Sequence, residues 1–191
     1  MAEDLFNNDI ENALQILQSG GIILYPTDTV WGIGCDATNE IAAEKIIQLK
    51  QRPPQKSFVV LVADEKDILR YTASPDLSVF DYLQTVQKPT TVIYEHALGL
   101  AQNVYNEDGS VAIRICRDEF CKHLIKRFRK PIVSTSANIS GEPAAANFSE
   151  IANAIIKGVD YVVQYRQSET ISAKPSSIIR WKNGKPEIIR S

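Results

Sequence analysis

The stretch from Gly21 to Asp36 constrains the fold of this chain more than any other. It begins with a run of apolar residues, 22–25, whose length suits a buried β-strand. Pro26 ends the run, because proline has no backbone N–H to donate to a sheet. Two threonines, an aspartate and then glycines 32 and 34 follow, which is typical of a bent loop that binds a ligand at a sheet edge. On this stretch alone, an ordinary strand and turn is the simpler interpretation.

Strand-like and helix-like segments alternate along the chain, and residues 1–191 have the length of one domain with a sizeable core. β-Rich runs predict strands at residues 57–63, 90–95, 110–116, 131–134 and 160–165, and Asn183-Gly184 predicts a hairpin between 177–181 and 187–190. Capping residues predict helices that begin near Asn8, Asn39, Asp64, Ser74, Asp118 and Asn147. The pattern predicts a single-domain α/β fold with a twisted, open, mixed sheet and flanking helices.

Composition and missing motifs exclude several classes of protein. The formal net charge of -2 argues against a protein that coats nucleic acid non-specifically. Three cysteines without a CxxC pair and two histidines without ligand spacing give no sign of a disulfide framework or a zinc site, so no metal ligand is expected. The patterns GxxxxGKS/T, GxGxxG and GxSxG are absent. Without a signal peptide or a membrane-spanning apolar run, we expect a cytoplasmic protein with no membrane contact.

Three cations lie close together at the end of the second predicted helix. Lys50 and Arg52 close this helix, and Lys56 follows two prolines. One interpretation is a solvated helix end, where positive charge complements the helix dipole. The other is a polyphosphate clamp in which Arg52 holds phosphate oxygens in a bidentate manner and the lysines act as point charges.

Polar residues also stand beside apolar segments later in the chain. Hydroxyls and an amide in residues 134–140 follow the apolar residues 131–133 and form either a serine-rich turn or a set of donors for a phosphate or carboxylate. Arg114 lies inside the apolar strand 111–115, so it is either exposed by alternation or buried with an anionic partner. The basic segment 122–130 favours a solvated helix face, with contact to RNA phosphates as the functional option.

Three motifs in combination resemble the YrdC-like family of threonylcarbamoyl-AMP synthases. They are Tyr25-Pro26-Thr27-Asp28-Thr29, the KxR element at 50–52, and the segment 134–141 with its SxN element. Segments 175–179 and 188–190 are similar to the closing segments of that family, so the resemblance covers roughly residues 20–190. It implies a YrdC-like twisted open sheet with a concave basic groove.

The resemblance also implies a reaction in which ATP, L-threonine and bicarbonate give L-threonylcarbamoyladenylate and pyrophosphate. The threonine amine forms a carbamate, whose oxygen attacks the α-phosphate, so catalysis needs positioning and charge neutralisation rather than a protein nucleophile. Mg²⁺ is expected to be carried with ATP, without dedicated protein ligands. Downstream transfer proteins are expected to place the threonylcarbamoyl group on adenosine 37 of tRNAs that read codons beginning with A.

The resemblance carries over to individual positions. It implies ATP contacts at Arg52, Lys56, Ser110, Ser136, Asn138 and Arg190. It implies threonine contacts at Thr29, Arg114, Ser134 and Ser176. The expected catalytic residues are Lys50, Arg52, Ser136 and Asn138. Two departures stand out: residues 86–91 replace a Trp-Pro-Gly-Pro run found in many relatives, and we expect no appended C-terminal domain.

Two other functions stay open. A non-catalytic RNA-binding module would use the groove and the basic segment 122–130 to contact phosphates, although the net charge and the lack of interleaved aromatic and basic residues count against it. A related adenylating domain acts in carbamoyl transfer during hydrogenase maturation, but within a much larger polypeptide. The small size of this chain disfavours that second alternative.

Overall fold

The computed structural model describes residues 2–53, 58–170 and 174–191. Its strands are β1 Ile23–Tyr25, β2 Gly32–Asp36, β3 Val59–Val62, β4 Thr90–Tyr94, β5 Val111–Ile115, β6 Ile132–Ser136, β7 Tyr161–Val162, β8 Ser177–Lys182 and β9 Lys185–Arg190. Its α-helices are α1 Ala2–Gln18, α2 Glu40–Lys50, α3 Glu65–Tyr71, α4 Ser78–Thr85, α5 Glu119–Phe128 and α6 Asn153–Gly158. Short 3₁₀ turns occupy Gln102–Val104 and Phe148–Glu150.

The strands form one mixed sheet in the order β7-β1-β2-β6-β3-β5-β4-β8-β9. Strand β3 runs parallel to β5 and antiparallel to β6, and β2 runs antiparallel to both β1 and β6. The predicted α/β class with a mixed open sheet is therefore confirmed. None of the helices in the described part of the chain has the length and apolar character needed to cross a bilayer.

Residues 32–36 form the buried strand β2, so the predicted bend at the two glycines is wrong, and the loop lies before them at residues 26–31. The glycine at position 34 serves packing rather than bending. A Cβ atom at Gly34 would lie 2.6 Å from the ring of Tyr25 and 2.7 Å from the carbonyl oxygen of Val133. Close approach of β1, β2 and β6 therefore requires a residue without a side chain at this position.

Replacing Gly34 with alanine is expected to lower the free energy of unfolding by about 3 kcal/mol, because backbone and a buried ring must move to admit the methyl group. Gly158→Ala is the matched control, since the three atoms nearest to its added Cβ all belong to the flexible side chain of Leu49. Urea unfolding of both variants measures the difference. Equal stability of Gly34→Ala and the unchanged protein would contradict the packing role.

Three predicted helix starts are confirmed by the capping side chains. Asn39 accepts a hydrogen bond from the backbone N–H of Ala42, and Asp64 forms a capping box with Asp67. Asp118 caps α5 in the same way. The predicted hairpin is also confirmed, because both residues of its Asn-Gly turn have positive φ angles, 51° and 73°. These signals are local, so the sequence alone specifies them.

The other predicted helix starts are wrong. Helix α1 begins at Ala2 rather than near Asn8. Helix α4 begins at Ser78, because Ser74 has a positive φ of 48° and Asp76 supplies the oxygen that accepts the Ser78 N–H. The expected helix from 147 to 157 is divided into a 3₁₀ turn and α6.

Strand β7 is shorter than the predicted run 160–165 because a side chain from α1 takes two of its backbone donors. Asp9 is buried and its Oδ2 accepts hydrogen bonds from the N–H groups of Gln164 (3.0 Å) and Tyr165 (2.7 Å). Its Oδ1 accepts a further hydrogen bond from the hydroxyl of Tyr161 at 2.6 Å. The end of the predicted strand is therefore bound to a helix rather than to a neighbouring strand.

Candidate active site

A cavity of about 430 Å³ opens where the start of β2, the end of β6 and the start of β3 come together. The register explains this meeting, since Gly32 pairs with Ser136 and Val59 pairs with Ser134. We call it the arginine-lined cavity. The predicted site residues that line it are Thr29, Arg52, Arg114, Ser134, Ser136, Asn138, Ser176 and Arg190. Residues from six separate parts of the sequence thus meet at one place.

The charges of the arginine-lined cavity favour anions. Its charged lining residues in the described part of the chain are Arg52, Arg114 and Arg190 against the single carboxylate of Glu142. The remaining polar groups are mainly hydroxyls. Guanidinium groups bind carboxylates and phosphates with paired hydrogen bonds. The cavity is therefore suited to a ligand that carries phosphate, carboxylate or both.

Arg114 is buried, with 5% of its side chain exposed, so of the two alternatives for this residue the buried one holds. Its Nη2 atom lies 3.0 Å from Oδ1 of Asp28, which is itself 10% exposed. The Nε atom of Arg114 is also buried and has no hydrogen-bond partner among the described residues. An unmet donor on a buried guanidinium is costly unless a ligand completes it.

Arg52 reaches the cavity through the turn that ends α2. Gln51 adopts the left-handed conformation with φ 49°, and the N–H of Arg52 then donates to the carbonyl of Ile47 at 2.9 Å. The guanidinium lies 4.8 Å from the centre of the Phe58 ring, and its Nη1 donates to Oγ1 of Thr135 at 3.3 Å. Burial lowers the pKa of Arg52 from its ordinary value. The group is thus held against the cavity wall, partly removed from water.

Lys50 lies behind the cavity wall rather than in it. Its side chain is 1% exposed, and its Nζ donates to the carbonyl oxygens of Ser136 and Asn138. Its own carbonyl oxygen accepts the N–H of Ser140 at 2.9 Å. The ammonium group therefore fixes the loop after β6, which differs from the expected role as a point charge on phosphate.

Asn138 presents an oxygen to its surroundings. Its Nδ2 donates to two carbonyl oxygens, those of Ile139 (3.0 Å) and Glu142 (2.7 Å). Because both partners can only accept, the amide orientation is fixed. The Oδ1 atom is buried without a partner among the described residues. In this conformation Asn138 offers an acceptor, whereas a direct contact to phosphate oxygens would need a donor.

Hydroxyl pairs organise the two ends of the cavity. The hydroxyls of Thr27 and Thr29 lie 3.0 Å apart, and those of Thr91 and Ser176 lie 2.9 Å apart. Arg190 donates from Nε and Nη2 to the carbonyl of Ser176, at 3.2 and 2.9 Å. Burial and then the positive charge of Arg114 lower the pKa of Arg190. Arg190, at the end of β9, is therefore hydrogen-bonded to the backbone of Ser176, the residue whose hydroxyl pairs with Thr91.

Among the described residues, one predicted ATP contact does not line the arginine-lined cavity. The Oγ of Ser110 accepts a hydrogen bond from Nδ2 of Asn106 at 2.7 Å and donates to Asp108, so the side chain closes its own loop. Ser110 does not line the arginine-lined cavity. Lys56 lies outside the described residues. Their predicted roles stay predictions.

The amino-acid sequence and the fold both have known relatives. Residues 15–191 match the Sua5/YciO/YrdC family model, which is described as telomere recombination. The chain belongs to the Sua5/YciO/YrdC family. A threonylcarbamoyl-AMP synthase from Stenotrophomonas maltophilia (strain K279a) is 32% identical over 157 residues, which are 81% of this chain and 84% of the relative.

Solved structures of this family share the fold. P. abyssi Sua5 complexed with L-threonine superposes with a TM-score of 0.84 at 21% identity, over 95% of this chain and 53% of that chain. E. coli YciO superposes with a TM-score of 0.81 at 21% identity, over 95% of this chain and 88% of that chain. This chain therefore spans about half the length of Sua5 and most of YciO.

Several residues of this Sua5/YciO/YrdC site were not predicted from the sequence. Trp31, Phe58 and Glu142 line the cavity, and Asp28 lies behind it against Arg114. Asp28 belongs to the motif at residues 25–29, but its partner, Arg114, is far away in the sequence. The basic segment 122–130 does not line the cavity, and three of its cations line a separate cavity of about 280 Å³ with α3.

Proposed function

We propose that this chain synthesises L-threonylcarbamoyladenylate from L-threonine, bicarbonate and ATP, with release of pyrophosphate. One observation carries the proposal: a buried arginine with an unmet donor lies in the same cavity as two further arginines and a set of hydroxyls. The amino acid supplies one anionic group and the nucleotide supplies several. Membership of the family and the similarity to a threonylcarbamoyl-AMP synthase support this choice of substrates.

In the proposed arrangement, Arg114 binds the carboxylate of threonine, beside the hydroxyls of Thr29, Ser134 and Ser176. The threonine amine attacks the carbon of bicarbonate, and water leaves as the carbamate forms. A carbamate oxygen then attacks the α-phosphate of ATP, the bond to the β-phosphate bridging oxygen breaks, and pyrophosphate departs. The protein contributes orientation and charge neutralisation to both steps.

Arg52 is the residue that we place against the phosphates. It lines the cavity next to Thr135 and Ser136, at the end of β6. Its guanidinium would neutralise negative charge as it moves onto the departing pyrophosphate. Ser136 would donate its hydroxyl to the same region. Lys50 would act indirectly, by holding the loop in which these groups lie.

Mg²⁺ would enter with ATP. Among the described residues there is no cluster of three or more His, Cys, Asp or Glu side chains that would form a protein cage for a metal. Oxygen atoms are nevertheless available, because Asn138 Oδ1 lacks a partner and Glu142 lines the cavity. Mg²⁺ usually keeps several water molecules when it binds phosphates. The two side chains would accept hydrogen bonds from those waters, while the ion offsets phosphate charge.

The product would be consumed by separate proteins that transfer the threonylcarbamoyl group to adenosine 37 of tRNAs reading codons that begin with A. A mixed anhydride of carbamate and phosphate is reactive towards nucleophiles, so it suits a transfer reaction. This assignment, direct RNA contact and a cytoplasmic location stay predictions. No specific feature of the arginine-lined cavity favours the non-catalytic RNA-binding alternative or the hydrogenase-maturation alternative.

Pyrophosphate release from ATP tests the proposal when threonine and bicarbonate are supplied together or withheld singly. We expect release to require both. Release that is indifferent to threonine, or no release from folded protein under any combination, would contradict the proposed reaction. Steep salt dependence of RNA binding without ATP consumption would then favour the RNA-binding module.

Replacing Arg190 with alanine is expected to raise the KM for ATP about 10-fold, because one charge-assisted contact is worth about 1.4 kcal/mol. Lys182→Ala removes a positive charge from the same hairpin, where the lysine pairs with Glu187 outside the cavity. Steady-state kinetics of both variants provide the measurement. An equal rise in the KM for ATP in the two variants would show that Arg190 acts only through the net charge of the hairpin and makes no specific contact with ATP.

A further inference from the structure

Asp28 lies behind the arginine-lined cavity and contacts the residue that we place on the substrate carboxylate. It does not line that cavity. Asp28 lines a neighbouring cavity of about 230 Å³, and Thr29 and Trp31 line both cavities. Asp28 is therefore separated from a ligand in the arginine-lined cavity by Arg114.

The Asp28 carboxylate is held from two sides by the segment that includes and follows β5. Oδ1 lies 3.0 Å from Nη2 of Arg114, and Oδ2 accepts the backbone N–H of Arg117 at 3.2 Å. Arg117 is itself anchored, since its guanidinium donates to the carbonyls of Leu83 (2.8 Å) and Val86 (3.0 Å) at the end of α4. Each oxygen of the Asp28 carboxylate thus has a positively polarised neighbour in this segment.

The contact with Asp28 involves one of the three guanidinium nitrogens of Arg114. Nη2 forms an ion pair with Asp28 Oδ1 whose geometry is not that of a hydrogen bond, while the buried Nε has no hydrogen-bond partner among the described residues. A long arginine side chain has several rotamers, and a fixed ion pair at one nitrogen selects among them. Because Arg114 lines the arginine-lined cavity, limiting its rotamers presents the guanidinium to a ligand in a defined orientation, which favours a planar carboxylate over an uncharged group.

We infer that Asp28 is a positioning residue that orients Arg114 for the carboxylate of the amino-acid substrate and so makes the site selective for a free amino acid. The inference rests on the proposed function, because it takes L-threonine as the ligand. It assigns to Asp28 no contact with ATP and no proton transfer. The effect of its loss should therefore fall on amino-acid affinity.

The variant Asp28→Asn keeps the shape of the side chain and removes its charge. The matched control is Asp36→Asn, because Asp36 is also a buried acid in an ion pair, with Lys130 at 2.6 Å, but at the other end of β2. Calorimetric titration measures the affinities for L-threonine, L-threoninamide and ATP in each protein. Thermal unfolding reports whether the two variants lose comparable stability.

We expect Asp28→Asn to weaken threonine binding about 10-fold, to change ATP binding less than about twofold, and to leave threoninamide binding unchanged. In turnover, the KM for threonine should rise about 10-fold while kcat stays within about threefold. Asp36→Asn should leave all three affinities unchanged.

Threonine binding by Asp28→Asn that equals the wild type would overturn the inference, and so would equal losses for threonine and threoninamide. The same selective loss in Asp36→Asn would also overturn it, since any buried acid would then suffice. If the wild-type protein itself binds no threonine, the proposed function fails first, so the two failures are distinguishable.

Discussion

Replacing Arg52 with alanine is expected to lower the rate of threonine-dependent pyrophosphate release at least about 100-fold, because a preorganised positive charge at the phosphates is lost. The fold should survive, since the contacts of this side chain with described residues include one over Phe58 and a hydrogen bond of 3.3 Å to Thr135, both at the cavity wall. We expect the loss of unfolding free energy to stay below about 1.5 kcal/mol. Initial rates and urea unfolding of the same preparation measure both effects.

The control for Arg52→Ala is Arg70→Ala. Arg70 also places a guanidinium over an aromatic ring, that of Tyr71 at 6.0 Å, but it lies on α3 and does not line the arginine-lined cavity. Its rate should stay within about twofold of the wild type. A rate for Arg52→Ala within about threefold of the wild type would contradict the assignment of Arg52 to the phosphates.

Replacing Lys50 with alanine is expected to lower both turnover and stability. The sequence predicted a point charge that acts on phosphate, but the structure buries this ammonium, which donates to the carbonyls of Ser136 and Asn138. Its removal takes a donor from two partly buried carbonyl oxygens, although that of Ser136 still accepts the N–H of Asn138 at 2.9 Å, and it leaves a void beneath the loop; together these cost about 2–4 kcal/mol. Turnover should fall at least about 100-fold, since the loop then no longer holds its groups in place.

Lys45→Ala is the matched control for Lys50→Ala. Lys45 lies on the same helix and its Nζ also donates to a backbone carbonyl, that of Gly20 at 3.0 Å, but its side chain is exposed. This variant should lose less than about 0.5 kcal/mol and keep its activity. If Lys50→Ala lost activity without losing stability, Lys50 would contact phosphate directly, and its role as a fixed point beneath the loop would be wrong.

The sequence predicted those parts of the fold that depend on neighbouring residues. The caps at Asn39, Asp64 and Asp118 and the turn at Asn183-Gly184 each involve side chains and backbone within a few positions of one another. Strand β2 was missed because two glycines within five residues are typical of a turn. The Tyr25 ring and the Val133 carbonyl, which come from β1 and β6, explain why this strand position needs a glycine.

The sequence predicted most of the residues that line the candidate site, but it did not predict what each of them contacts. The motifs brought Arg52, Arg114 and the segment 134–140 into consideration, and the structure places them around one cavity. The roles of Lys50 and Asp28 depend on partners that are far apart in sequence and meet only through the order of the strands. A buried lysine is also rare, so its exposure at a helix end was the natural expectation.

The most direct test of the proposed reaction follows the carbon of bicarbonate into the nucleotide product. The protein is incubated with ATP, Mg²⁺, L-threonine and either ordinary or ¹³C-labelled bicarbonate, and the products are analysed at once by mass spectrometry. We expect an adenylate that contains threonine and whose mass increases by that of one labelled carbon. Its amount should equal the amount of pyrophosphate released. A threonine-bearing adenylate without the label, or AMP alone in the presence of all substrates, would contradict the proposed reaction.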